Sequence, residues 1–159
     1  MTVLISFLKR IEGIVAVCAY IMTAGLLLGE VIAREFFLES IWGSQKIAVF
    51  GAIVAGSIGM AIATSENSHL RPTFADGILP QPWVDRAGDL ISAGLFIFFG
   101  YFGIQMVVET YEFKIVAEVI RVPLWMIQIV FPYAFFSAAL RHVIFAISPD
   151  LKPQPAAAT

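Results

Sequence analysis

The sequence predicts an all-α integral membrane protein with four transmembrane helices. Of its 159 residues, 59% are hydrophobic and 14% are charged. Four blocks contain no Asp, Glu, Lys or Arg: residues 13–29, 47–65, 90–108 and 122–140. Each block is close to the roughly 20 residues that a helix needs to cross the hydrocarbon core. A helix of a water-soluble bundle would carry a charged face, which these blocks lack. Lipid tolerates only structures whose backbone hydrogen bonds are all made internally, so we expect each block to be a helix.

The spans and their connections account for nearly the whole chain as one membrane domain over residues 1–150. We expect the spans at about 11–32, 44–65, 88–109 and 122–146. Residues 151–159 contain two prolines and an Ala run, and we expect a flexible tail there. Lys9 and Arg10 precede the first apolar run as in a signal peptide. That run is long for a signal and no clear cleavage site follows, so we expect a retained first helix.

Composition and motifs argue against catalysis and against a cofactor. The one cysteine, Cys18, precludes an intramolecular disulfide, and the net charge of −2 does not suit a nucleic-acid partner. The sequence has no metal-ligand spacing, no catalytic Ser/His/Asp set within the spans and no glycine-rich phosphate loop. The two histidines, His69 and His142, are expected at the membrane edge, which disfavours a bis-His haem site. We therefore expect no enzyme activity, no metal and no cofactor, apart from a phospholipid at a subunit interface.

Polar residues around the first connection are candidate interfacial sites. Glu30 and Arg34 are four residues apart with the acid first, the favourable order for a helical ion pair. This pair either neutralises itself near the membrane surface or contacts another subunit. Trp42 and Lys46 follow in the connection, and all three tryptophans fall at span ends, where aromatic belts lie. Glu12 is expected at the interface, because a carboxylate at mid-membrane costs several kcal/mol.

The second span carries small residues at a four-residue spacing. This small-residue ridge consists of Gly51, Ala55, Gly59 and Ala63. In lipid, small residues let two helix backbones approach closely, and this packing is a main source of helix association. We expect the ridge to contact another helix, either of this chain or of a partner subunit.

The two later connections and the last span add further candidates. After the second span come three polar residues, His69, Arg71 and Asp76, and residues 73–79 are typical of a segment in the membrane interface. Residues 109–121 alternate charged with apolar side chains and predict a short amphipathic helix on the membrane surface. Pro132 lies near the middle of the fourth span, where we expect a kink.

The basic residues set the expected orientation. Four spans put both termini on one side, and that side holds six of the ten Lys and Arg residues. Lys9 and Arg10 flank the first span, which usually dominates, so we expect both termini in the cytoplasm. The span centres lack the charged groups that transport proteins use, which predicts an accessory subunit.

Several landmarks occur in a fixed order along the chain. They are Val31-Ile32-Ala33-Arg34, Trp42, Gly59, His69-Leu70-Arg71, Asp76, Leu79-Pro80, Pro123-Leu124-Trp125 and Pro132. Their order and spacing resemble the motifs V-x-x-R, W-x-x-E, H-I-R, L-P and I-P-x-W of the small, DctQ-like subunit of TRAP (tripartite ATP-independent periplasmic) transporters. The chain departs from that pattern after the tryptophan, where Gln45 replaces the family's acid.

The resemblance implies a scaffold subunit in the bacterial inner membrane. Its partners would be a large multi-span subunit, which carries an organic acid with sodium by an elevator motion, and a periplasmic binding protein that delivers the substrate. Two alternatives are the small subunit of a tricarboxylate-type tripartite transporter and the membrane anchor of a respiratory enzyme. A small multidrug exporter would need a deep membrane carboxylate, which none of the four blocks contains.

Overall fold

The computed structural model describes residues 2–65, 81–118 and 120–151. Its α-helices are α1 Thr2–Phe37, α2 Ser44–Ser65, α3 Gln81–Glu112, α4 Trp125–Gln128 and α5 Val130–Ile147. Within the described residues, four stretches are long and apolar enough to cross a membrane: Ser6–Phe37, Ser44–Ser65, Arg86–Glu112 and Trp125–Ile147, the last formed by α4 and α5 together. The predicted fold class is confirmed.

The helices form two hairpins that meet along one seam. Helix α1 packs on α2, α3 packs on α5, and the hairpins join mainly along α2 and α5. Small residues line these contacts. A Cβ at Gly103 of α3 would lie 3.3 Å from the Cδ atom of Pro132, and one at Gly100 would lie 2.9 Å from the Phe136 ring. These glycines therefore let α3 and α5 approach closely, as expected for helix packing in lipid.

Left-handed residues end the first helix and open the second. Helix α1 runs to Phe37, well beyond the predicted end near residue 32, and stops before Leu38, whose φ is 58°. Gly43 has a φ of 76° and immediately precedes α2. A φ in this range cannot continue a right-handed helix and favours glycine. The turn is therefore fixed by backbone geometry within six residues of irregular chain.

The connection from α3 to α4 corrects one expectation. The amphipathic helix predicted over residues 109–121 does not continue beyond Glu112. Lys114 and Arg121 have φ values of 50° and 51°, and the backbone amide of Ala117 donates to the Val122 carbonyl at 2.9 Å. The left-handed residues break the α-helical ladder, so backbone groups pair across a loop instead. That this loop lies on the membrane surface stays a prediction.

The fourth span is interrupted one turn before its central proline. Helix α4 ends at Gln128 and α5 begins at Val130, and the Tyr133 amide reaches the Ile129 carbonyl at a long 3.4 Å. Pro132 has no N–H to donate to the Gln128 carbonyl, and its ring crowds that group. The interruption therefore lies where a proline at position 132 weakens the helix.

Candidate subunit interface and buried polar cluster

Glu30 fixes the turn between α1 and α2. Its Oε1 atom accepts hydrogen bonds from Arg34 at 3.0 Å and from the Ser40 hydroxyl at 2.7 Å. Its Oε2 atom accepts from the Ile41 amide and the Ser44 hydroxyl, both at 2.8 Å. Glu30 is only 4% exposed. One buried carboxylate thus joins the end of α1 to the first residue of α2.

The partner of Glu30 faces outward together with the rest of the turn. The Arg34 side chain is 58% exposed, and Trp42 is 74% exposed. Lys46 and Gln45, the residue that replaces the family's acid, are exposed as well. Glu30 therefore holds a turn whose cationic and aromatic side chains point away from the helix pair.

The small-residue ridge is divided between two surroundings. A Cβ at Gly51 would overlap the Thr23 hydroxyl of α1 and lie 2.9 Å from the Met22 methyl group. A Cβ at Gly59 would meet no atom of the described residues within 4 Å, and the same is true of Gly56. A step of four residues overshoots a 3.6-residue turn by about 40°, so the ridge winds around α2. Gly51 therefore packs against α1, whereas Gly59, which is half-buried, has no described residue packed over its Cβ position.

Three of the predicted polar candidates, His69, Arg71 and Asp76, lie outside the described residues. The interfacial segment predicted at 73–79 lies outside them as well.

A buried polar cluster joins α1, α2 and α5. An Oε2 atom of Glu12 and Nη2 of Arg141 are 2.5 Å apart, and each of these residues is 1% exposed. The other carboxylate oxygen of Glu12 accepts from the Ser137 hydroxyl at 2.8 Å and from the Tyr133 hydroxyl at 3.1 Å. Nη1 of Arg141 donates to the carbonyl of Ala61 at 2.5 Å. Glu12 was expected at the membrane interface, and the structure in addition buries it where α1, α2 and α5 meet.

A second buried pair lies beside this cluster. The Nδ1 atom of His142 and a carboxylate oxygen of Asp89 are 3.1 Å apart. The His142 ring stacks on Phe96 with ring centroids 5.5 Å apart and an interplanar angle of 16°. Asp89 is near the start of α3 and His142 near the end of α5. The pair therefore links the two helices of the second hairpin at the same end as Glu12.

In the part of the chain that the structure describes, no three His, Cys, Asp or Glu side chains gather as metal ligands. The buried carboxylates Glu12 and Asp89 each contact a basic side chain of another helix. These features define a multi-pass membrane protein in which buried polar groups join the helices.

The comparison with protein families identifies which kind of membrane protein this is. Residues 15–150 match the model of the DctQ component of tripartite ATP-independent periplasmic transporters. The chain belongs to this family, and the resemblance found in the sequence is confirmed. A search of curated proteins found no match. The family is one of transporter subunits and not an enzyme family, and it implies association with the large TRAP membrane subunit and a periplasmic binding protein.

Proposed function

We propose that this chain is the static scaffold subunit of a TRAP transporter that imports an organic acid with a sodium gradient. The observation that carries the proposal is that the buried carboxylates in the described part of the chain bind side chains of the chain itself. Glu12, Glu30 and Asp89 each contact basic or hydroxyl side chains of the same chain. A transporter that carries ions needs polar groups at membrane depth for its cargo. Here such groups hold helices together, which suits a support for a moving partner.

The outward face of α2 is the proposed contact with the large subunit. No described residue packs over Gly56 or Gly59, so another helix can approach the α2 backbone closely there. The turn held by Glu30 borders the same helix and adds Arg34, Trp42 and Lys46 as interfacial groups. A phospholipid at the edge of this interface remains part of the proposal.

The distribution of exposed charge supports cytoplasmic termini. Four spans put both termini on one side, and that side holds six of the ten Lys and Arg residues of the sequence, among them the exposed Lys9, Arg10 and Arg86. The other side holds four, namely Arg34, Lys46, Lys114 and Arg121, all of them exposed. The side with more Lys and Arg belongs in the cytoplasm by the positive-inside rule.

Reconstitution in lipid vesicles tests the scaffold function. Vesicles with this chain alone should take up no organic acid under an imposed sodium gradient. Vesicles with the large subunit, this chain and the binding protein should take it up, and omission of this chain should abolish or strongly reduce uptake. Sodium-driven uptake by the isolated chain would overturn the proposal, as would full uptake without it.

A further inference from the structure

Every hydrogen-bond partner described for the Glu12 carboxylate lies on the last helix. Arg141, Ser137 and Tyr133 all belong to α5, and they lie 121 to 129 residues from Glu12 along the chain. Helix α1 otherwise packs on α2, and α5 packs on α3 and α2. The Glu12 side chain is therefore the main link between the first and the last helix.

Arg141 extends this link to a third helix. It binds the Glu12 carboxylate through Nη2 and the Ala61 carbonyl of α2 through Nη1. Ala61 lies in the last turns of α2, where the helix dipole favours a cation. One guanidinium thus holds both helices of the first hairpin to one helix of the second.

Neither charge is stable alone in this position. A buried ion is strongly destabilising when its partner is removed, whereas removal of both partners is tolerated much better. Lipid adds to this cost, since water cannot solvate the orphaned charge. Because Arg141 belongs to the fourth span, the first span gains its neutralising partner only after the fourth has joined it.

We propose that Glu12 and Arg141 form a latch that fastens the first span to the seam of α2 and α5, along which the two hairpins meet. The latch sets the depth of the first span against the last and adds a polar link between α1 and α5 to the packing of α2 on α5. Tyr133 and Ser137 orient the carboxylate for this contact. This inference concerns the isolated chain and does not depend on its function in transport.

A double-mutant cycle on the purified chain tests the coupling. Glu12→Gln and Arg141→Met should each lower the melting temperature by roughly 10 °C, because each leaves a buried group without its charged partner. The combination Glu12→Gln with Arg141→Met should lower it by clearly less than the sum of the two. Additive losses would overturn the latch. Failure of the single variants to accumulate, with recovery of the double variant, would support it.

A distance measurement separates a latch from a merely stabilising contact. In a Cys18→Ala background, spin labels at the exposed positions Arg10 and Leu140 report on the gap between hairpins, and labels at Leu28 and Val49 report within the first hairpin. Glu12→Gln should broaden the first distance distribution and leave the second narrow. Tyr133→Phe, which removes one hydrogen bond and no charge, should broaden the first distribution slightly. An unchanged inter-hairpin distribution in both variants would overturn the proposal.

Discussion

Gly51 and Gly59 belong to the same small-residue ridge of α2, yet among the described helices one covers Gly51 and none covers Gly59. Thr23 and Met22 of α1 fill the space over Gly51, while no described atom lies within 4 Å of a Cβ at Gly59. The step of eight residues from one to the other turns the helix by about 80° beyond two full turns. The ridge therefore meets α1 at Gly51 and turns away from α1 at Gly59.

The buried carboxylate of Glu30, at the turn between α1 and α2, should contribute more to stability than its exposed partner Arg34. Glu30→Gln removes the charge from a group that accepts four hydrogen bonds, and a hydrogen bond to a charged group is stronger than one to a neutral group. We expect this variant to lower the unfolding free energy of the isolated chain, measured by denaturation in detergent, by clearly more than Arg34→Gln does. Arg34→Gln should cost under about 1 kcal/mol, since exposed ion pairs are weak. Equal losses for both variants would contradict the arrangement around Glu30.

Close packing between α3 and α5 should make Gly103 intolerant of a side chain. Its nearest neighbours include the backbone nitrogen of Pro132, 3.3 Å from the position of a Cβ, and backbone does not move aside cheaply. Gly103→Leu should destabilise the isolated chain by about 1–3 kcal/mol, as overpacking does in a tight core. Gly94→Leu, on the same helix with nothing within 4 Å, is the matched control and should change the melting temperature little. A larger effect at Gly94 than at Gly103 would mean that α3 packs through another face.

Labelling of single cysteines tests the orientation. In a Cys18→Ala background, cysteines replace Glu39 in the first turn and Arg86 near the start of α3, which are exposed at opposite ends of the bundle. An impermeant thiol reagent added to intact spheroplasts should label position 39 and leave position 86 unlabelled until the membrane is opened. The reverse pattern would show that the termini lie outside the cytoplasm.

The apolar blocks were sufficient to predict the four spans, because hydrocarbon thickness fixes how many apolar residues a helix needs. The pairing of Glu30 with Arg34 was also predictable, since it depends only on a four-residue spacing. The serine hydroxyls and the backbone amide that complete the Glu30 site were not, because they depend on how the turn after α1 folds back. The left-handed backbone at Lys114 and Arg121 was not predictable either, because the alternation of charged and apolar residues does not reveal it. For that reason a loop was predicted as a helix.

The Glu12–Arg141 pair escaped prediction for a different reason. The two residues are 129 positions apart, and each seemed to be an ordinary charge at the edge of an apolar block. Only the packing of α1, α2 and α5 at one end of the bundle brings them together. One available signal was that both residues flank spans at the end shared by the termini, where an unpaired acid and an unpaired base can neutralise each other.

The most direct test of the account compares Gly59→Leu with Gly51→Leu in the isolated chain and in the complex. The account assigns Gly59 to the contact with the large subunit and Gly51 to the contact with α1. Gly59→Leu should therefore leave the melting temperature of the isolated chain unchanged. It should weaken the binding free energy to the large subunit by the roughly 1–3 kcal/mol typical of overpacking, and so lower the yield of co-purified complex. Gly51→Leu should lower the melting temperature itself. If Gly59→Leu leaves co-purification intact, the open face of α2 meets lipid, and the proposed contact with the large subunit is wrong.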